Sequence, residues 1–167
     1  GSMDEVAVFS RALSAAEVKS IYDYQAPAPL AFPDNGTADG YVSMADNELL
    51  IHMDGDADDS SGNNRNGVVT NATQITGRVG TNAYNFDGTT DYITVAHVSA
   101  LSFDKTDPWS FSCWFKSTNT STHSMIFSKI TSSWVGWEAL VLSDSKIQFG
   151  MESPGAYAYA KSPNTSL

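Results

Sequence analysis

The chain has 167 residues, 41% of them hydrophobic, and a net charge of −10, with nine Lys and Arg against nineteen Asp and Glu. That is a globular composition with enough length for one cored domain and a tail. Nine scattered basic residues do not supply the clustered positive charge that a nucleic-acid partner requires, and no apolar run approaches the ~20 residues of a membrane span. The single cysteine, Cys113, excludes an internal disulfide.

Residues 3–22 open with Val6 and Val8 alternating with Glu5, Ala7 and Phe9, the pattern of a short strand with one buried face. Ser14 and Glu17 form a capping-box pair, so a helix is expected over 15–22 with Val18, Ile21 and Tyr22 on one side. Residues 25–33 carry three prolines and read as a stiff, extended linker that continues as a polar stretch to Asn47. From Leu49 the pattern changes to short apolar runs at 49–53, 66–70, 83–87, 91–95, 109–116, 124–130, 136–142, 146–151 and 156–161. Polar turn clusters such as Asp-Gly-Asp and Asp-Gly-Thr-Thr separate them, with no interleaved helices. This spacing predicts an all-β, antiparallel two-sheet jelly-roll sandwich with one short helix near the N-terminus.

The densest set of oxygen ligands is 54–64, with Asp54, Asp56, Asp59 and Asn63 around flexible glycines. Such a loop suits the six to eight oxygens of Ca²⁺, or equally an acidic turn whose side chains cap the local backbone. Asp87 to Asp91 reads first as a hairpin turn. A sugar site needs exposed aromatic faces beside polar groups. Trp134 with Trp137, Tyr157 with Tyr159, and His123 offer these, although ordinary core packing explains aromatic residues as well. Trp134 and Trp137 are three apart and face opposite ways in a strand, whereas Tyr157 and Tyr159 share a face. Catalytic groups are not evident. Asp4 and Glu5 are adjacent and so split across the two faces of a strand, and His52, His97 and His123 lack zinc spacing.

In order, the segments Leu49-Leu50-Ile51-His52-Met53-Asp54-Gly55, Asn85-Phe86-Asp87-Gly88-Thr89-Thr90-Asp91-Tyr92-Ile93 and Ser110-Phe111-Ser112-Cys113-Trp114-Phe115 resemble a laminin-G-like, concanavalin A-like lectin domain. Asp4-Glu5-Val6 and Arg11-Ala12-Leu13-Ser14 resemble the last strand and trailing helix of the same family, here placed first. The resemblance implies three parts: a last-strand and capped-helix motif at 1–24, a linker at 25–47, and a sandwich at 48–167 lacking its final hairpins. It implies a structural calcium that joins first and last strands and brings Asp4 to the Asp-rich loop. The expected role is a non-catalytic carbohydrate-binding or adhesion module of a secreted, cell-surface or virion-surface protein. A spacer repeat in an adhesin is the alternative, and a glycan-acting enzyme a third. Residues 5–9 are expected to pair with a strand of the 49–167 region, within one molecule or swapped into a neighbour.

Overall fold

In the computed structural model, the described residues are 1–23, 42–117, 122–130, 135–153 and 156–163. They hold eleven strands, one α-helix and one 3-10 turn, and every strand pairing with a given register is antiparallel. The chain divides into two compact units. One comprises Ser2–His97 and Pro108–Trp114, and the other Val98–Asp107 and Phe115–Leu167, together with Gly1.

The first unit is built around β1 (Ser2–Phe9). After β1 come α1 (Ala15–Asp23), β2 (Asn47–Ile51), β3 (Gly67–Thr70), β4 (Thr73–Thr76), β5 (Asn82–Asn85) and β6 (Tyr92–Val95), and β7 is Ser110–Lys116. One sheet runs β2-β1-β5-β4, with β7 also paired to β1, and β3 and β6 form a separate ribbon. Val6, Ala7 and Val8 lie opposite Ile51, Leu50 and Leu49. The expected pairing of the N-terminal strand with the region after residue 48 is therefore present. One expectation is corrected here. Val6, Ala7, Val8 and Phe9 are all buried, so β1 covers both faces and not one. A strand covered on both faces loses the polar-out alternation that a strand with one solvated face keeps. Phe9, at 0% exposure, packs with Ala7, Val42 and Leu50, and Leu13, Ile21 and Met44 close over them.

Helix α1 begins as its capping box dictates. Ser14 Oγ accepts from the Glu17 backbone N–H at 3.3 Å, and Glu17 Oε2 accepts from the Ser14 N–H at 2.8 Å. Arg11 adds a two-pronged contact to the Glu17 carboxylate at 2.6 and 3.1 Å. Leu13, Val18, Ile21 and Tyr22 then face Phe111, Cys113 and Trp114 of β7 across a shallow apolar groove. Trp114 is only partly buried. The Tyr22 ring lies 5.7 Å from it and the Arg78 guanidinium 5.0 Å above it. Burial pushes the Cys113 thiol up to about 12, so it is a protonated packing group.

The second unit contains the 3-10 turn Ser99–Leu101 and the sheet β11-β10-β9-β8, with β8 Ser124–Ile130, β9 Gly136–Val141, β10 Ile147–Ser153 and β11 Ala156–Lys161. Register separates its two faces. Trp137, Ala139 and Val141 of β9 sit opposite Met151, Phe149 and Ile147 of β10, giving an apolar side. Trp137 is 6% exposed, meets the Phe127 ring edge-on at 5.2 Å, and donates its indole N–H to the Leu101 carbonyl at 2.9 Å.

Candidate functional site

The other face of that four-stranded sheet is polar and aromatic. Glu138 of β9 pairs with Gly150 of β10, which pairs in turn with Tyr159 of β11, and Tyr157 lies opposite Glu152. Directly paired residues share a face, so Glu138, Gln148, Glu152, Tyr157, Tyr159 and Lys161 project together. Tyr157 and Tyr159 are 44% and 59% exposed, with ring centroids 5.5 Å apart at 34°.

Gly150 makes this arrangement possible. A Cβ there would stand 2.7 Å from the Tyr157 hydroxyl oxygen and 3.2 Å from its ring, so the ring lies across a bare stretch of β10. The Tyr157 hydroxyl is fixed at both ends. It accepts from Gln148 Nε2 at 2.8 Å and donates to Glu138 Oε1 at 3.4 Å. Burial and the Glu138 carboxylate raise its pKa, so it stays a neutral donor. The Lys161 ammonium sits 5.4 Å from the Tyr159 ring centroid. Glu152 Oε2 is shielded and has no hydrogen-bond partner among the described residues. The result is two tilted aromatic faces bordered by carboxylates, an amide and an ammonium.

Of the residues expected to bind a ligand, the structure thus brings Tyr157 and Tyr159 together. Trp137 is placed in the core of the opposite face. His123 is exposed just before β8, and Trp134 lies outside the described residues. Sequence reasoning missed Gln148, Gly150 and Lys161. Gly150 inside the run 146–151 was the available signal, since glycine within a strand marks close approach.

The acidic residues expected to bind calcium are tied to backbone amides. Asp59 Oδ1 accepts from the N–H groups of Leu50 and Ser61, and its Oδ2 from Arg65 N–H. Burial alone would raise the Asp59 pKa, but these amides hold it low. Asp56 Oδ1 caps Asp58 N–H, and Asn63 Nδ2 donates to the carbonyls of Asn47 and Glu48. Asp54 and Asp4 both turn toward the segment before β5. Asp54 Oδ1 accepts from Thr81 N–H at 2.6 Å and Asn82 N–H at 2.8 Å, and Asp4 Oδ2 from Arg78 N–H at 2.7 Å and Val79 N–H at 3.0 Å. Among the described residues no three His, Cys, Asp or Glu side chains converge to hold a metal ion.

Beside Asp4 the β1 backbone breaks its alternation. Glu5 has φ +52°, and Met53, just after β2, has φ +64°. Residues 2–3 pair with β5 and residues 6–9 with β2, so the break falls where the strand changes partners. Asp4 and Glu5 are both buried, at 2% and 5% exposure, as are the residues on both faces of β1 that follow them. The left-handed conformation of Glu5 costs on the order of 1 kcal/mol. Glu5 Oε2 lies 2.9 Å from His52 Nδ1.

With this geometry established, comparison with known proteins gives one match. The family described as Clostridium neurotoxin, N-terminal receptor binding, matches residues 54–158, well over half of the chain. The chain belongs to this family. The match covers β3 to β10 and the first three residues of β11, whereas β1, α1 and β2 precede it. No curated protein and no solved structure matches. The laminin-G-like resemblance is therefore corrected. Its Asp-Gly turns and alternating aromatic strands encode antiparallel hairpins in general, and hairpin signals do not separate one β family from another.

Proposed function

We propose that the chain is a non-catalytic receptor-binding module of a secreted protein, and that it recognises carbohydrate on the face formed by β9, β10 and β11. The observation that carries this reading is the exposed Tyr157–Tyr159 pair bordered by hydrogen-bonding groups. A pyranose presents an apolar face that stacks on such rings, while its hydroxyls bond to carboxylates and amides. Glu138, Gln148 and Glu152 supply acceptors and a donor within the same set of paired strand positions. The chain's membership of a receptor-binding family supports a surface ligand. A jelly-roll arrangement of the sheets would fit such a role and belongs to the same proposal.

The test is binding of the whole chain to a glycan array, followed by titration of any hit against Tyr157→Ala and Tyr159→Ala. Each substitution should weaken binding about two- to tenfold, from the ~0.5–1.5 kcal/mol of an aromatic contact. Melting temperature should move little, because both rings are largely exposed. Absence of any glycan ligand would favour the spacer reading, and hits that survive both substitutions unchanged would overturn the Tyr157–Tyr159 face as the site.

A further inference from the structure

We propose that the outer edge of β11 pairs with the same edge of a second copy of this chain, joining two four-stranded sheets into one. Strand β11 ends its sheet, and residues 157–161 are all exposed. The direction of its backbone groups follows from its far end. Ser162 N–H donates to the Ile147 carbonyl at 2.9 Å, one step beyond the pairing of Lys161 with Gln148. Antiparallel ladders alternate hydrogen-bonded and non-hydrogen-bonded pairs, so Ala156, Ala158 and Ala160 bond to β10. The N–H and C=O groups of Tyr157, Tyr159 and Lys161 therefore point away from β10, along an edge with no neighbouring strand among the described residues.

Natural sheets blunt such edges with bulges, prolines or inward-pointing charges. The opposite edge of this sheet has two of these devices. Strand β8 is irregular between Met125 and Phe127, and its Lys129 stands opposite Trp137 on the apolar side. Strand β11 has neither. Its register with β10 runs unbroken from Ala156 to Lys161, and its one charge lies on the polar face. Residues that pair across a two-fold axis share a face, and both must present outward groups. An axis centred on Tyr159 satisfies every outward group: Tyr159 bonds its own copy, and Tyr157 bonds the second copy's Lys161. An axis centred on Ala158 leaves Lys161 out. The first register also matches charge. It sets the second copy's ammonium beside the Tyr157 ring, on the face that carries Glu138 and Glu152, where Glu152 Oε2 has no hydrogen-bond partner among the described residues. Exchange of lysines across the axis thus brings unlike charges together. The tyrosine face stays uncovered, and two copies of it become continuous, whatever ligand it takes.

One strand pair is smaller than a standard protein interface, so the dimer should form in proportion to concentration. The experiment is sedimentation equilibrium of the whole chain from about 10 μM to about 1 mM, the range of weak association. The native mass should rise from 17.9 kDa toward twice that value. Tyr159→Pro removes an outward N–H while sparing the bonds to β10, and should raise the dissociation constant tenfold or more. Oxidative cross-linking tests the register. In Tyr159→Cys the two new residues face each other with Cα atoms about 5.5 Å apart, within disulfide reach, so a covalent dimer should form. Ala158→Cys lies on the other face, opposite the second copy's Ala160, and should not cross-link. If Tyr159→Pro fails to fold, the cysteine variants decide. A native chain that stays at 17.9 kDa throughout, or a dimer that survives in folded Tyr159→Pro, overturns the pairing. So does a Tyr159→Cys chain that does not cross-link, or an Ala158→Cys chain that cross-links as fast.

Discussion

At Gly150 a missing side chain shapes the candidate ligand surface. The Tyr157 ring occupies the space where a Cβ would be, and the atom it would strike is the hydroxyl end of a movable side chain. Gly150→Ala is therefore expected to displace the ring while leaving the strand intact. Ligand affinity should fall about as far as in Tyr157→Ala, with stability within about 0.5 kcal/mol of the native chain. Calorimetric titration beside a thermal melt separates the two effects, and unchanged affinity would show that the ring position is irrelevant. The carboxylates of the 54–64 loop follow a different logic. Asp54 and Asp59 already accept several N–H bonds each, which hold their pKa values low despite burial. Chelator is thus expected to leave the melting temperature unchanged, and a rise with millimolar Ca²⁺ would contradict that expectation by the usual linkage of binding to stability.

Helix α1 shows how much of an element the sequence carries. Ser14 and Glu17 three residues apart announced the cap, and both reciprocal bonds are present. Ser14→Ala should cost about 0.5–2 kcal/mol in a denaturant melt. The Arg11 hydrogen bond holds the Glu17 carboxyl at about 2, below its ordinary 4.5. Its contribution is present above 4.5 and is lost as pH falls toward 2. Alternating apolar residues likewise located most strands to within two residues, because half-buried hairpins write their period into the chain. They did not reveal β4, whose Thr73, Gln74, Ile75 and Thr76 are all exposed and, with one apolar residue, show no alternation. Nor could periodicity foresee the left-handed backbone of Glu5, since an alternating pattern carries no sign of a single positive φ. The Asp-rich loop was legible as oxygen-rich only. Whether an Asp faces amides or a cation depends on the path of a segment as distant as 78–82.

Across the whole molecule, the largest stake lies in the packing of β1. Phe9 is fully enclosed, and Phe9→Ala is expected to cost about 3–5 kcal/mol by opening a cavity among Ala7, Val42 and Leu50. That is a large share of the stability of a domain this size, so the variant should melt far below the native chain or remain unfolded.

The position of β1 also bears on the order in which the chain folds. Val6 finds its partner at Ile51, Ser2 at Asn85, and β7 arrives only after residue 109. A ribosome thus releases the apolar run Val6–Phe9 long before the strands that cover it exist. Closing such long loops carries an entropic cost that local hairpins such as β10–β11 avoid. We expect β1 to dock late, after the hairpins have formed. Phe9→Ala should then accelerate unfolding while leaving the refolding rate close to native, giving a φ-value near zero, whereas a value near one would place β1 in the folding nucleus. Until that docking, the nascent chain carries an uncovered strand beside an unfilled slot, the state most exposed to capture by another copy of itself.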